Sequence, residues 1–335
     1  MPPKSERGAR VRTIVVVGSS NTDMIVRLPR IPRPGETLLG GQFLTAAGGK
    51  GANQAVGAAR AGGKVTFIAR VGKDVFGDEA IAGFQRGGID VSRVSRDPHA
   101  PSGVALIFVA EGGENSIAVA GGANAKLRPA DIKQAAKVIR SADLLVAQLE
   151  TPLATIQAAA KIAAKAGVRV ILNPAPARPL PNALLRLVSI LTPNETEAEA
   201  LTGIKVTNER GAARACAALR ARGVRTVILT LGSRGAWLAD AEGERLVPGF
   251  KVKAIDTTAA GDIFNGALAV ALAEDKTLPD AVRFANAAAA LSVTRLGAQP
   301  SAPLRAEIDK FLIRRGHQFV GLTSSDNPPT RVSVP

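Results

Sequence analysis

Thr13-Ile14-Val15-Val16-Val17-Gly18 is a run of β-branched residues closed by a glycine. It shows no polar alternation, so it reads as a strand buried on both faces, the mark of a parallel sheet covered by helices. Working outward, Gly51–Ala61 predicts a helix, Val65–Val71 a second strand, and Phe76–Arg86 a helix stopped by Gly87-Gly88. Short apolar strands recur at Asp143–Ala147, Val168–Leu172, Val188–Thr192 and Val224–Leu229. Helices over Pro152–Ala166, Asn194–Thr202 and Thr207–Arg222 separate them. Beyond Gly235 come several short strands, then helices near Gly261–Ala273, Pro279–Arg295 and Ala302–Arg314. The alternation predicts an α/β fold, a doubly wound and mostly parallel sheet flanked by helices.

Two segments break that rhythm. Met24–Ala46, rich in Pro and Gly, carries strand-like stretches at Met24–Leu28 and Thr37–Phe43, and Val91–Val119 carries Gly103–Val109 and Asn115–Val119 with no helix between. We read both as antiparallel pieces of one small sheet, a lid built from insertions at about 21–47 and 91–120. A role in dimerisation is compatible with a lid over a site. Residues 1–11 form an N-terminal extension, 12–315 the main domain, and 316–335 have the composition of a flexible tail.

At 335 residues with 46% hydrophobic side chains, the chain can build a large core. That core must be aliphatic, since there are ten Phe, one Trp and no Tyr. A single cysteine, Cys216, excludes an internal disulfide and any multi-cysteine zinc site. Two histidines, His99 and His317, leave little room for His-rich metal chemistry. No run approaches the ~20 apolar residues that span a bilayer. The first residues lack the apolar stretch of a secretory signal, so a cytoplasmic protein is expected. The net charge of +15 attracts anions, but the basic residues are scattered apart from clusters at Lys4–Arg12 and Arg314–Arg315. No nucleic-acid-binding motif accompanies them, so neither nucleic acid nor membrane is expected as a partner.

Among phosphate motifs, Gly48-Gly49-Lys50-Gly51-Ala52-Asn53 lacks the remainder of a P-loop, and neither a dinucleotide fingerprint nor a Gly-x-Ser-x-Gly elbow is present. Asp256-Thr-Thr-Ala-Ala-Gly-Asp262-Ile-Phe-Asn-Gly266 is more informative. Small residues there precede an apolar helix whose bare N–H groups suit an anion. Asp262 in the first turn fits ordinary capping; it also fits a carboxylate that takes a hydroxyl proton beside a bound phosphoryl group. The Gly48–Asn53 cluster permits close backbone approach, or simply a tight turn, and Asn53 suits vicinal hydroxyls. Asn21 and Asp23 follow the first strand, where open α/β sheets bind ligands, although an Asx-turn reads the same way. Gln148-Leu-Glu150, Thr192-Pro-Asn194-Glu195-Thr-Glu197 and Thr230-Leu-Gly-Ser-Arg-Gly235 place polar or Gly residues at the same edge, with Glu195 and Glu197 open to a first-turn role.

These segments, joined by Leu172-Asn-Pro-Ala-Pro-Ala177 and Arg295-Leu-Gly-Ala-Gln-Pro-Ser301, resemble the ribokinase/PfkB family of carbohydrate kinases, in the family's order across about residues 13–314. The resemblance implies ATP-dependent phosphorylation of D-ribose at its 5-hydroxyl, or, in related members, of deoxyribose, another sugar or a nucleoside. It implies Asp262 as base, with the backbone amides of Ala259, Ala260, Gly261 and Asp262 as anion hole. Asn21, Asp23, Gly49, Lys50, Asn53 and Glu150 match sugar-contacting positions. Asn194, the loop Thr230, Leu231, Gly232, Ser233, Arg234 and Gly235, with Gly261, Asp262 and Asn286, match ATP-contacting ones. Position 286 is Asn where the family often has His. Glu197 matches the acid that organises Mg2+ through water. Asp256, Thr258, Ser292, Arg295, Gly297 and Ser301 fall where an activating K+ is held, mostly by backbone oxygens. A homodimer formed through the lid is also implied. Aliphatic lid residues Ala105, Ile117 and Val119, with no Tyr, suit a small sugar better than a nucleoside.

Overall fold

A computed structural model describes residues 12–320. Its main sheet is assembled from β1 (Thr13–Val17), β4 (Lys64–Gly72), β5 (Asp90–Asp97), β8 (Leu144–Ala147), β9 (Arg169–Leu172), β10 (Ile190–Leu191), β11 (Thr226–Thr230), β12 (Gly235–Asp240) and β13 (Gly243–Pro248). The order is β13-β12-β11-β10-β9-β8-β1-β4-β5, parallel except at the β11–β12 and β12–β13 pairs. The opening run behaves as its composition demands. Ile14 and Val16 pack into the core on one face of the sheet, Val15 and Val17 into the core on the other. Each such side chain, fully buried, contributes roughly 1.5–3 kcal/mol.

On the first face lie α1 (Lys50–Arg60), α2 (Val75–Arg86), α9 (Ala260–Ala273), α10 (Leu278–Ser292) and α11 (Arg305–Val320). The second face is covered by α3 (Pro129–Gln134), α4 (Ala136–Ser141), α5 (Leu153–Lys165), α6 (Asn182–Leu185), α7 (Glu195–Thr202) and α8 (Glu209–Ala221). The short helices α3 and α4 have no counterpart in the sequence reading, being six residues each, too short for a repeated amphipathic pattern. Residues 316–320, expected in the tail, continue α11, which runs to Val320. The N-terminal extension and the rest of the tail lie outside the described residues.

The second sheet, β3-β2-β6-β7, comprises β2 (Asn21–Leu28), β3 (Gln42–Gly48), β6 (Gly103–Ala110) and β7 (Asn115–Ala120). It differs from expectation in three ways. β3 occupies 42–48 rather than 37–43, because Gly40 and Gly41 stand at φ 92° and 115° and interrupt the extended chain just before pairing starts. β2 and β6 pair in parallel, not antiparallel, because both leave the same rim of the main sheet, with Asn21 opposite Gly103. Asp90–Asp97 belongs to the main sheet: it is the edge strand beside β4, and its largely polar composition suits an edge open to solvent.

The chain runs from β1 to β4 and β5 in one direction and from β8 onward in the other, so the order reverses between β1 and β8. That reversal opens a crevice at the carboxyl rim, the usual ligand position in such sheets. Helices α1 and α9 cross at glycines. A Cβ added at Gly266 would lie 2.6 Å from Ala58 N and 2.7 Å from Gln54 O. Neither backbone atom can step aside without separating the helices. Gly266→Ala is therefore expected to cost about 1–3 kcal/mol through overpacking, read as a lowered thermal midpoint; an unchanged midpoint would show that the two helices tolerate separation.

Candidate active site

The sugar-type residues converge at the crevice. Gly49 caps α1 at φ 89°, and a Cβ there would lie 2.7 Å from Asn21 N, so only glycine lets α1 begin against the β1 rim. Asn21 Oδ1 accepts from Asn124 Nδ2 at 2.7 Å, and Asn124 also exchanges bonds of 2.9 and 3.0 Å with the Ser20 backbone. Asn124 escaped the sequence reading because it lies about a hundred residues away, in a one-turn segment with no motif. Glu150 accepts from Ser19 Oγ at 2.6 Å and from Lys50 N at 2.9 Å, joining the rims of β8 and β1 to α1. The Asp23 carboxylate lies over Gly48, 2.3 Å from where a Cβ would stand. Burial first, and the charge of Glu150 second, push its pKa up to about 6.

Asp262 is 5% exposed in the first turn of α9. It does not cap the helix: α9 has no side-chain cap, and its N-cap is Ala259 in the left-handed region at φ 59°. The carboxylate turns to α1 instead. Oδ2 accepts from Asn53 Nδ2 at 3.0 Å and Oδ1 from Gln54 Nε2 at 2.9 Å. Burial raises its pKa, and the opposing pull of Lys50, Asn53 and Gln54 does not cancel that rise. Burial alone would lower Lys50, but the carboxylates of Asp262, Glu150 and Glu197 outweigh it and hold the ammonium above its usual range. Asn53 Oδ1 is buried with no partner among the described residues. A buried acceptor left so costs about 1–3 kcal/mol, which a ligand hydroxyl donating to it would recover.

At the start of α9, Ala260 N donates to Thr257 O at 3.2 Å and Ile263 N to Ala259 O at 2.9 Å. Of the amides expected to form the anion hole, that of Ala260 is thus already engaged. Those of Gly261 and Asp262 have no backbone partner among the described residues. A Cβ on Gly261 would meet no atom within 4 Å, so the space before these amides is open. Behind them, Thr192 Oγ1 donates to Asn265 Oδ1 at 2.7 Å, and Asn265 Nδ2 donates to Gly261 O at 2.8 Å. That carbonyl shares a peptide plane with the Asp262 N–H, so its bond fixes the direction of the amide.

Gly261 also borders a cavity of about 520 Å³, the size of a nucleoside pocket. Thr230, Gly232, Ser233, Gly235 and Asn286 line it as expected, joined by Phe264 of the Asp256–Gly266 motif and by Phe250 and Val293, which carried no motif. Leu231 is buried behind its wall, and Arg234 pairs with Glu195. Asn286 Nδ2 donates to the carbonyls of Val247 and Pro248 at 3.1 and 3.2 Å, binding α10 to β13. Asn194 and Glu197 form a reciprocal capping box on α7, with Glu197 N bonded to Asn194 Oδ1 at 2.7 Å and Asn194 N to Glu197 Oε2 at 2.9 Å. Burial raises the pKa of Glu197, against the bond from Asn194 and the charge of Lys50, and with that of Asp262.

Asp256 ties two loops together, accepting from Thr258 N through Oδ1 and from Gly297 N through Oδ2, each at 2.8 Å. Ser292 and Ser301 spend their hydroxyls on Ala289 O and Ala298 O, and Arg295 pairs with Glu307. The carbonyls of Asp256, Thr258, Arg295 and Gly297 accept no backbone bond among the described residues. Neutral carbonyl oxygens of this kind fit a monovalent cation. Among the described residues no cluster of His, Cys, Asp or Glu could by itself hold a metal ion, and no helix is long and apolar enough to cross a membrane.

Comparison with known proteins places this geometry in context. Residues 11–305 match the family described as pfkB family carbohydrate kinase. The chain is 47% identical over 301 residues to a ribokinase of Haemophilus influenzae, covering 90% of this chain and 98% of that one. It is 39% identical to a deoxyribokinase of Salmonella typhi, covering 89% and 98%. A solved structure of Arabidopsis thaliana ribokinase complexed with ribose and ATP superposes with a TM-score of 0.84 at 36% identity, covering 90% and 98%. The local electrostatics can be checked without any substrate. The Asp23 carboxyl carbon, followed by NMR, is expected to titrate at about 6, and Glu150→Gln to lower that value by removing a neighbouring negative charge. Titration in the ordinary aspartate range would contradict the burial of Asp23 described above.

Proposed function

The chain belongs to the pfkB family of carbohydrate kinases, and from that premise we propose how it phosphorylates D-ribose, with Asp262 as the base. The activity is that of a ribokinase: ATP and D-ribose give ADP and D-ribose 5-phosphate. One observation carries the reading of the site. The Asp262 carboxylate is bonded to Asn53 on the sugar side, and its own amide stands beside that of Gly261 at the mouth of the cavity. Base and anion hole thus occupy one turn of helix.

In this scheme Asn21, Asp23, Gly49, Lys50, Asn53 and Glu150 hold the sugar, and Asn53 Oδ1 gains the donor it lacks. The 5-hydroxyl presents its proton to Asp262 Oδ2. As the O–H bond breaks, the proton passes to the carboxylate and the oxygen electron pair forms the new bond to the γ-phosphorus. The bond from that phosphorus to the bridging oxygen breaks, and ADP leaves with the electrons. A general base in this role contributes roughly 10²–10⁴ in rate. The Gly261 and Asp262 amides face the charge that spreads over the phosphoryl oxygens, and fixed donors of this kind need no reorganisation during transfer. Asn286 and the Thr230, Gly232, Ser233 and Gly235 positions of the loop, which line the cavity, would hold the nucleotide, with Asn194 bridged to Thr230 beside them and Ala259 setting the entry angle of α9.

Two ions belong to the reading. Mg2+ arriving with the triphosphate would offset its charge, with Glu197 ordering the surrounding water. Bound K+ would order the Asp256–Thr258 and Arg295–Ser301 loops next to the anion hole. The small sheet serves as a lid over the sugar. On its inner face, Ala46, Asp23, Ala105 and Val119 lie in one cross-strand row, and Leu44, Ile25, Ile107 and Ile117 in the next. Its other face exposes Phe43 and Leu106. A sheet apolar on both faces suits pairing with a second copy, so we assign a homodimer through the lid. We read the reaction as cytoplasmic, a compartment where ATP is available.

The decisive experiment is a coupled ADP-release assay over pentoses, including 2-deoxyribose, hexoses and nucleosides, with and without K+. Turnover is expected to be greatest on ribose with K+, and to fall at least a hundredfold in Asp262→Asn; full turnover in that variant would remove the proposed base. Gly261→Ala separates chemistry from folding. Its methyl group enters the open space before the amides, so kcat should drop by an order of magnitude or more with an unaltered melting temperature. Wild-type kcat would mean that the phosphoryl group lies elsewhere.

A further inference from the structure

Behind Asp262 lies a chain of buried amides that the scheme above leaves without a role. Gln54, the residue after Asn53 on α1, is 0% exposed. Its Nε2 donates to Asp262 Oδ1 at 2.9 Å and to Asn173 Oδ1 at 3.1 Å, and its Oε1 accepts from Gln148 Nε2 at 2.6 Å. Asn173 Nδ2 donates onward to Thr192 O at 3.0 Å. A primary amide has two N–H donors, and both of Gln54's are used. The ionised carboxylate of Asp262 only accepts, so it sets the orientation: a flip would aim the Gln54 oxygen at it. The ends of β8, β9 and β10, through Gln148, Asn173 and Thr192, therefore fix Gln54, and Gln54 fixes one oxygen of Asp262.

We propose that Gln54 is the positioning residue for the base, pinning Asp262 Oδ1 so that Oδ2 is the oxygen presented to the sugar hydroxyl. This rests on reading Asp262 as the base. A neutral donor suits the task. It favours the ionised carboxylate in a buried setting, as a base requires, while a second cation in its place would weaken the proton affinity that draws off the hydroxyl proton. Asn53 holds Oδ2 without ligand but also belongs to the sugar-contacting set, so Gln54 is the contact that remains throughout the cycle.

The test uses Gln54→Met, which keeps the volume and removes the donor, and Gln54→Glu, which keeps the shape and the bond from Gln148 but sets a second carboxylate beside Asp262. The whole enzyme is assayed with ribose and ATP, and kcat and KM are followed against pH. Losing a hydrogen bond to a charged group should lower kcat roughly tenfold to a hundredfold, with KM for ribose little changed. The ionised form of Asp262 loses stabilisation in both variants. The acid limb of kcat should therefore move to higher pH in Gln54→Met and further in Gln54→Glu, a shift that merely structural damage would not produce. Gln54→Glu carries the test if Gln54→Met fails to fold. Acid limbs coinciding with wild type, or unchanged kcat, overturn the proposal. Asp262→Asn in parallel separates the two failures. If it is inactive while the Gln54 variants keep the wild-type limb, only the role of Gln54 falls; if it keeps full turnover, the base reading falls and this inference with it.

Discussion

A carboxylate with almost no access to water, in the first turn of a helix it does not cap, is the constraint around which the rim is arranged. Burial opposes ionisation of Asp262, and no single contact reverses that. What holds it is a set of partial compensations: two side-chain amides from α1 and one ammonium, Lys50, shared with Glu150 and Glu197. Each partner lies on α1 or depends on it, so the distance between α1 and α9 governs the chemistry. The close contact at Gly266 keeps that distance short.

The same economy appears in the nucleotide half. Left-handed Ala259 replaces a side-chain cap, a conformation that costs roughly 1–2 kcal/mol in a residue with a Cβ. In return the amides of Gly261 and Asp262, next after the engaged one of Ala260, keep no backbone partner among the described residues. Asn194 and Glu197 on α7 show the opposite solution, a closed capping box. Two helix starts at one rim are therefore built differently, one sealed for stability and one left open for a ligand.

Much of this was legible from local sequence. The β-branched run at Thr13–Val17 could only be a buried strand, and the Gly-rich Gly48–Asn53 segment marked the close approach that Gly49 makes. The acids near residue 195 read as first-turn residues, and Glu197 is one. What local patterns could not show was the side-chain chemistry of partners far apart in the chain. Asn124 lies 103 residues from Asn21, and Gln54 lies 208 from Asp262. Their roles arise only when four strand ends meet. The strand expected at Thr37–Phe43 was misplaced for a related reason: the positive φ of Gly40 and Gly41 decides where pairing begins.

The division of labour along the sheet also bears on how such enzymes diversify. In the proposed scheme the acceptor-contacting groups hang on β2, α1 and the rim after β8, whereas the cavity read as the donor's is lined from β11, β12, α9 and α10. Between the two halves stands Asp262, carried by α9 and bonded to Asn53 and Gln54 of α1. A lineage can therefore rewrite the insertions, and with them the molecule to be modified, while the machinery that delivers the phosphoryl group is inherited untouched.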